Sequence, residues 1–266
     1  MGKIGFEKEK GMTFRPIKDN RFRFRCHKGI ECFTRCCRDL NLILGPYDII
    51  RLKNRLDIPS DTFLEEYTET RLDERSRFPM LYLKMGKDSE KRCPFVSSNG
   101  CTVYEDRPNA CRIYPLGRAA LKPDGRDEPL ERFFIVTEDH CLGFDEDREW
   151  TIESWMQNEG VNEYNAINDL WMEIITSTNS LGQGKDLTRK IQMFYMASYN
   201  IDRFRAFLFG SRFFDLFDVE PDLKERLGSD DRELILFAFK WLRFSLFGEK
   251  TISLKDPEKM GVITQG

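Results

Sequence analysis

The sequence predicts an α+β protein in which a small, mixed, cysteine-rich region with short strands and helices is followed by a mainly helical C-terminal region. All eight cysteines lie between Cys26 and Cys141. In the first half, apolar and polar residues alternate with the period of two that is typical of strands. From about Trp150 onwards, the apolar residues recur with the helical period of about 3.6.

In the first half, proline and serine positions predict two consecutive helices. Pro46 suits the first turn of a helix that Pro59 ends, and Ser60 is placed to cap a second helix that continues through Tyr67. Short strands are predicted at 21–26, 40–44, 81–83 and 132–137, and the turn residues of 122–129 predict an exposed loop.

In the second half, one buried helix face is predicted from six apolar positions: Tyr164, Ile167, Leu170, Trp171, Ile174 and Ile175. A break at 179–184 precedes a helix at 187–199. Asp230 and Glu233 resemble a capping arrangement that opens a helix, which Gly248 then closes. Ten of the 22 phenylalanines lie between Phe204 and Phe247, which favours an aromatic helical core.

These patterns predict four consecutive regions along the chain. They are an N-terminal extension at 1–19, a cysteine-cluster domain at 20–147, a helical region at 148–250 and a C-terminal tail at 251–266.

The charge balance excludes several classes of partner. Lys plus Arg number 42 against 45 for Asp plus Glu, so the net charge of −3 gives no overall attraction to nucleic acid, and we expect no nucleic-acid partner. No run of about 18 apolar residues predicts a membrane span, so we expect no membrane insertion. The charged N-terminus resembles no secretory signal, which predicts a cytoplasmic location.

In a reducing compartment, eight cysteines indicate metal ligands or reactive thiols rather than structural disulfides. The absence of any Cys-x-x-Cys pair argues against zinc ribbons, thioredoxin-like redox chemistry and c-type haem. Soft thiolate ligands favour zinc, Cu(I) or iron–sulfur clusters, and eight thiols permit one or two such sites. The sequence therefore predicts a cysteine-rich metal-binding region.

Three neighbouring features refine this hypothesis. Successive side chains of an extended chain point to opposite faces, so Cys36 and Cys37 are expected to serve two centres, or one of them to be buried beside a ligand. The two histidines, His27 and His140, each adjoin a cysteine, which leaves open an extra ligand, a hydrogen bond to sulfur or an ordinary structural role. Arginines flank the cysteines of 26–37 and those of 93–141, and they are expected to stabilise thiolates and an anionic cluster.

The first four cysteines have the spacing Cys26-x5-Cys32-x3-Cys36-Cys37. Cys93-Pro94-Phe95 follows, and then the segment 100–115 with its Arg-Pro-x-x-Cys-Arg-x-Tyr-Pro stretch. This combination resembles the YkgJ-type cysteine-cluster family. The resemblance covers roughly residues 20–145 and implies a zinc- or iron-chelating domain. It implies eight metal-associated positions: Cys26, Cys32, Cys36, Cys37, Cys93, Cys101, Cys111 and Cys141. Relatives of this family include a flagellin lysine methylase.

The predicted function is therefore that of a cytosolic metal-binding protein that holds an iron–sulfur cluster, of the 4Fe–4S type, or alternatively zinc. The alternative is a protein-lysine N-methylase that uses S-adenosylmethionine, which the resemblance alone implies. A metal carrier is a third hypothesis. A protein substrate or a redox partner is the expected partner.

Overall fold

The computed structural model describes residues 11–72, 77–121 and 130–256. Within them, helices accompany short strands that form small separate sheets, which confirms the predicted α+β class. The predicted loop at 122–129 lies outside the described residues. None of the helices in these ranges is long and apolar enough to cross a membrane.

The strands and helices are numbered in chain order. The strands are β1 Met12–Pro16, β2 Arg21–Arg23, β3 Ile43–Leu44, β4 Thr68–Leu72, β5 Pro79–Leu83, β6 Val96–Ser97, β7 Gly100–Cys101, β8 Leu116–Leu121, β9 Leu130–Glu138, β10 Glu149–Thr151, β11 Phe217–Asp218 and β12 Ser253–Leu254. The helices are α1 Pro46–Leu56, α2 Ser60–Tyr67, α3 Asn109–Ile113, α4 Ile152–Asn158, α5 Val161–Ile175, α6 Gly184–Tyr199, α7 Ile201–Gly210, α8 Phe213–Leu216, α9 Pro221–Ser229 and α10 Asp231–Phe247.

The chain forms two compact units that interleave along the sequence. Among the described residues, the first contains those of 11–42 and 83–169, and the second contains those of 43–82 and 170–256. The predicted boundary between residues 147 and 148 stays a prediction. Residues 43–82 group with the C-terminal helices because α1 contacts α6 and α10, and α2 contacts α7.

In the first unit, two small antiparallel sheets lie beside an aromatic core. One sheet has the strand order β1-β9-β8, and the other pairs β2 with β10 through Phe22 and Trp150. The indole N–H of Trp150 donates to the carbonyl of Phe24 at 2.9 Å. Phe22 and Phe24 are buried, as the predicted alternation requires. This packing fixes the chain that leads directly into Cys26.

In the second unit, several predicted helix ends are confirmed, whereas the helix predicted at 187–199 begins three residues earlier, at Gly184, and α1 ends at Leu56 before Pro59. Pro46 is the first residue of α1, and Asp230 accepts hydrogen bonds from the N–H groups of Arg232 and Glu233 at the start of α10. Gly248 ends α10 with a φ of 72°, a left-handed conformation that favours glycine.

One predicted cap and two predicted strands differ in the structure, and the strand predicted at 21–26 is confirmed only at Arg21–Arg23. Ser60 does not cap α2: it is the first residue of that helix, and its own N–H is capped by the carboxylate of Asp202 at 2.7 Å. Asp202 is distant in sequence, so local pattern could not reveal it. The strand predicted at 40–44 is confirmed only at Ile43–Leu44.

The phenylalanine-rich segment forms the predicted aromatic core. Phe213 stacks on Phe217 with ring centroids 4.6 Å apart, and the edge of Trp241 meets both rings. All three residues are buried. The aromatic residues therefore serve packing.

A buried carboxylate in this unit gives a pH-dependent prediction. Burial favours a raised pKa for Asp231, but hydrogen bonds from Arg205 and Asn54 and the charge of Lys53 lower that pKa below its usual value. A lowered folded-state pKa means that Asp231 stabilises the fold above the unfolded pKa, and that this stabilisation is lost as the pH falls through the folded pKa. We expect Asp231→Asn to reduce the free energy of unfolding by about 2 kcal/mol at pH 7. The difference should shrink below about pH 4.

The matched control is Asp230→Asn, one position away. Asparagine caps a helix about as well as aspartate does, so this variant should lose only a small fraction of what Asp231→Asn loses. The measurement is urea unfolding of both variants between pH 3 and pH 7. A loss for Asp231→Asn that is the same at every pH would contradict the assignment.

Candidate metal centre

Four chain segments of the first unit carry the cysteines. The first is the turn-rich segment 26–37, which ends in the 3₁₀ turn Arg35–Cys37. The second is the hairpin of β6 and β7 with the residues that precede it, the third is α3, and the fourth is the turn after β9. Regular secondary structure is sparse here, so the positions of the thiols depend on individual hydrogen bonds.

Cys26 and Cys141 are brought together by backbone bonds. The N–H of Arg25 donates to the carbonyl of Gly143 at 2.9 Å. A Cβ on Gly143 would lie 2.6 Å from the ring of Phe24, so only glycine permits this close approach. Cys26 follows Arg25 directly, and Cys141 precedes Gly143 by two residues, so the two thiols lie in the same region.

Cys32 joins this pair through its sulfur. The N–H of Leu142 donates to Cys32 Sγ at 3.3 Å, and Cys32 is the buried cysteine of the set. An N–H group directed at sulfur stabilises the thiolate form. Cys32 is therefore placed next to Cys141, although 109 residues separate them in sequence.

Cys36 and Cys37 lie on the same side of the chain, which corrects the expectation from an extended backbone. Thr34 has a left-handed φ of 66° and opens the 3₁₀ turn, in which the N–H of Cys37 donates to the carbonyl of Thr34. The two Sγ atoms are 4.0 Å apart. The backbone therefore does not direct adjacent thiols to opposite faces.

Cys93 is attached to this turn, and Cys101 follows through a hairpin. The N–H of Cys93 donates to the carbonyl of Cys37 at 2.9 Å. Val96 pairs with Cys101 across β6 and β7, and Gly100 turns the chain with a φ of 109°. The N–H groups of Phe95 and Val96 lower the pKa of Cys93, although burial raises it by more.

The thiols also interact with one another electrostatically. Burial, and then the charges of other thiols, raise the pKa of Cys26 and of Cys93 to about 11. The hydrogen bond with Cys37 and then burial raise the pKa of Cys36 far above its usual value. The charge of Cys36 contributes to the raised pKa of four other thiols: Cys26, Cys93, Cys101 and Cys141. Cys36 is thus central to the cluster.

Seven of the eight predicted positions are connected by these contacts: Cys26, Cys32, Cys36, Cys37, Cys93, Cys101 and Cys141. Cys111 lies on α3 with an exposed side chain. Across the described ranges, no three His, Cys, Asp or Glu side chains are already close enough together to hold a metal ion. The donor set fits a thiophilic metal in its chemistry, and the thiols must draw closer to bind one.

The two histidines contact carboxylates. His27 Nδ1 accepts a hydrogen bond from the N–H of Gly29 at 3.2 Å, and His27 Nε2 lies 3.2 Å from a carboxylate oxygen of Glu146. His140 Nε2 lies 3.6 Å from a carboxylate oxygen of Glu138. Within the described residues, the Nε2 atoms of His27 and His140 are buried and make no hydrogen bond, so either atom is available to a metal.

Six of the arginines that flank the thiols pair with carboxylates, and the expectation that arginines stabilise thiolates stays a prediction. The pairs are Arg21–Glu149, Arg23–Asp147, Arg35–Glu31, Arg38–Glu90, Arg92–Glu90 and Arg107–Glu159. Partner carboxylates balance most of the local charge. Arg107 lowers the pKa of Cys101, but burial raises that pKa by more.

The Arg-Pro-x-x-Cys-Arg stretch has a structural explanation. Arg107 is buried and pairs with the carboxylate of Glu159, while Arg112 donates to the carbonyls of Glu159 and Glu105. The guanidinium of Arg112 also lies over the ring of Tyr164, 4.6 Å from its centroid. Both arginines anchor the helix that carries Cys111.

Sequence reasoning missed two acidic residues of this region. Glu138 lies beside His140 and the hydroxyl of Tyr114, and that hydroxyl also adjoins Cys141, whose pKa it lowers against the effect of burial. Glu159 neutralises Arg107 from a distant part of the chain. Glu138 could have been predicted as part of this region, because it lies close to His140 and Cys141 in sequence. No local sequence pattern indicates the role of Glu159.

The fold and the gathered thiols define a cysteine-ligated metal-binding protein. Residues 25–146 match the model of the CxxCxxCC family, described as a "putative zinc- or iron-chelating domain". This confirms, for residues 25–146, the resemblance to the YkgJ-type cysteine-cluster family. Its name denotes two-residue spacings, whereas this chain has five and three residues between the cysteines that lead to its double cysteine. No curated protein and no solved structure matches the chain.

The buried ion pair gives a second prediction. Glu159→Gln would leave the guanidinium of Arg107 buried without its counter-charge, so we expect a loss of about 3 kcal/mol in the free energy of unfolding. Asp147→Asn makes the same acid-to-amide change at the exposed pair with Arg23 and should leave stability nearly unchanged. Denaturant unfolding measures both, and equal effects would contradict the anchoring role.

Proposed function

We propose that residues 25–146 hold iron through cysteine thiolates, as an iron–sulfur cluster, and that the metal completes the fold of the cysteine-bearing loops. The observation that carries the proposal is the gathering of thiols from separate segments around Cys36. More thiols interact with Cys36 or with one another in this region than the four that one tetrahedral ion requires.

The hydrogen bonds to sulfur support this proposal. The N–H of Leu142 donates to the sulfur of Cys32, and backbone N–H groups lower the pKa of Cys93, Cys101 and Cys141 against the effect of burial. Such bonds favour the thiolate form, and in iron–sulfur proteins they help to set the reduction potential. These hydrogen bonds do not depend on a metal, so the loops can stabilise the negative charge of ligand thiolates before metal binds.

The metal has a structural task that follows from the same geometry. Without a cation, each thiolate raises the pKa of its neighbours, so the thiols resist being ionised together. A bound cation favours the ionised thiolates. Because the cation binds only the folded loops, its binding free energy adds to the folding free energy of segments that have few backbone hydrogen bonds of their own.

Zinc is the second candidate, and one observation favours it. The separation of 4.0 Å between the sulfurs of Cys36 and Cys37 is near the ~3.8 Å expected for two thiolates on one tetrahedral ion with bonds of about 2.3 Å. The sequence argument against zinc also weakens, because the backbone N–H groups of Phe95 and Val96 lower the pKa of Cys93 without a Cys-x-x-Cys pair.

Metal analysis with an acid-labile sulfide assay on anaerobically purified protein separates the two metals. Iron with matching sulfide and broad visible absorption supports the proposal. Stoichiometric zinc in colourless protein would replace the cluster with a structural zinc site. Protein without bound metal after anaerobic purification and reconstitution would contradict both.

Substitution of the central thiol gives a third prediction. We expect Cys36→Ser to lose at least half of the bound metal and to lower the melting temperature of the protein, since ligation and folding are coupled. The neighbouring control is Arg35→Lys, which keeps the charge of an exposed residue beside Glu31 and should retain all metal. Full metal content in Cys36→Ser would contradict the central position of this thiol.

The remaining functional hypotheses stay predictions. Protein-lysine methylation with S-adenosylmethionine rests on the family resemblance, and binding of S-adenosylmethionine to the purified protein would test it. A redox partner, a protein substrate and a cytoplasmic location are likewise predictions, of which the last suits thiols that must remain reduced.

A further inference from the structure

The turn that joins β6 to β7 carries a chemically reactive pair of residues. Asn99 directly precedes Gly100, and it is the one asparagine of the chain that glycine follows. Ser97 pairs with Gly100 across the two strands, so Ser98 and Asn99 form the tip of the hairpin. The side chain of Asn99 is exposed there. Asparagine is a thermolabile residue, and a following glycine leaves the attacking backbone nitrogen unhindered.

We propose that Asn99 and Gly100 form a modification site, at which Asn99 deamidates through a cyclic imide and Lys28 activates the side-chain amide for this reaction. The co-reactant is water. The products are ammonia and either aspartate or isoaspartate at position 99. The inference concerns the backbone of the hairpin and does not depend on which metal the thiols hold.

The reaction balances in two steps. The backbone nitrogen of Gly100 attacks the side-chain carbonyl carbon of Asn99, and the bond from that carbon to Nδ2 breaks. Nδ2 leaves as ammonia with the proton of the attacking N–H. Water then adds across one of the two C–N bonds of the cyclic imide, which gives aspartate or isoaspartate. The attack is intramolecular, and groups held together react much faster than separate ones.

Lys28 supplies a positive charge at the reacting amide. Its ammonium group donates to Asn99 Oδ1 at 2.7 Å, from a position 71 residues earlier in the chain. As Gly100 attacks, this oxygen gains negative charge, and a cation already in contact with it stabilises that charge. Because the contact joins distant segments, the sequence pattern alone does not reveal it.

The hydroxyl of Ser97 orders the two reacting residues. Its Oγ donates to the carbonyl of Gly100 at 2.9 Å and accepts from the N–H of Asn99 at 3.1 Å. Gly100 has a φ of 109°, which favours glycine. The pairing of Ser97 with Gly100 must open before the nitrogen can attack. Strands of two residues open readily, so this step does not block the reaction.

The modification would act at a contact between two cysteine-bearing segments. Lys28 and Phe33 belong to the segment 26–37, and both meet the hairpin that carries Cys101: Lys28 at Asn99, and the ring of Phe33 at Gly100. Aspartate at position 99 converts the neutral partner of Lys28 into a charged one. Isoaspartate instead inserts the side-chain Cβ into the backbone of the turn. Either product changes how the hairpin joins the segment 26–37.

Ageing of the wild-type, full-length protein in water labelled with heavy oxygen tests the site. The protein is incubated at mildly alkaline pH, and peptide mass spectrometry follows each asparagine. Asn179 is the internal control, since it is also exposed but precedes Ser180. We expect Asn99 to convert about tenfold faster than Asn179, because glycine leaves the attacking nitrogen unhindered. Each converted site should carry one heavy oxygen, and isoaspartate should be among the products.

Two results would overturn the modification site. One is an Asn99 peptide that stays unmodified or converts no faster than that of Asn179. The other is conversion that yields aspartate alone, because a cyclic imide opens at both of its C–N bonds.

Variants of the lysine test its activating role. Lys28→Met should slow the conversion of Asn99 about threefold, the size expected for one exposed charge interaction, and Lys28→Arg should restore most of the rate. Lys18→Met removes another exposed lysine and should leave the rate unchanged. If Lys28 only held the turn in place, its loss would loosen the turn and speed the reaction. An unchanged or faster rate in Lys28→Met would therefore overturn the activating role.

Discussion

Mutual repulsion among gathered thiolates is the constraint on which the cysteine-rich unit depends. Cys36 raises the pKa of Cys26 in its own segment and of thiols from two other segments, and its contact with Cys37 raises its own pKa. The raised pKa values keep these thiols protonated at neutral pH, and a bound cation is what would allow several of them to ionise together.

The surrounding structure supplies a rigid frame rather than positive charge. The aromatic core around Phe24 and Trp150 fixes the chain before Cys26, and the pair of Arg107 with Glu159 fixes the helix that carries Cys111. Backbone N–H groups, together with Arg107 at Cys101, lower the pKa of the thiols against the effect of burial. This explains why a nearly neutral protein can hold a concentrated anionic site.

Local signals predicted the elements that depend on local interactions. Pro46, Asp230 and Gly248 marked helix ends that the structure confirms, because caps act within one turn. The sequence could not show that Asp202 caps the helix at Ser60, that residues 43–82 pack with the C-terminal helices, or that Glu159 pairs with Arg107, because these contacts join distant segments. The shared side of Cys36 and Cys37 depends on the left-handed conformation of Thr34, which a threonine rarely adopts and which no sequence pattern marked.

X-ray absorption at the edge of the metal in the purified protein tests the central claim most directly, because it counts the atoms bound to the metal whatever that metal is. The account predicts a coordination shell of sulfur atoms only, at about 2.3 Å. A shell of nitrogen or oxygen atoms at about 2.0–2.1 Å would contradict it, since the metal would then be held by groups other than the gathered thiols.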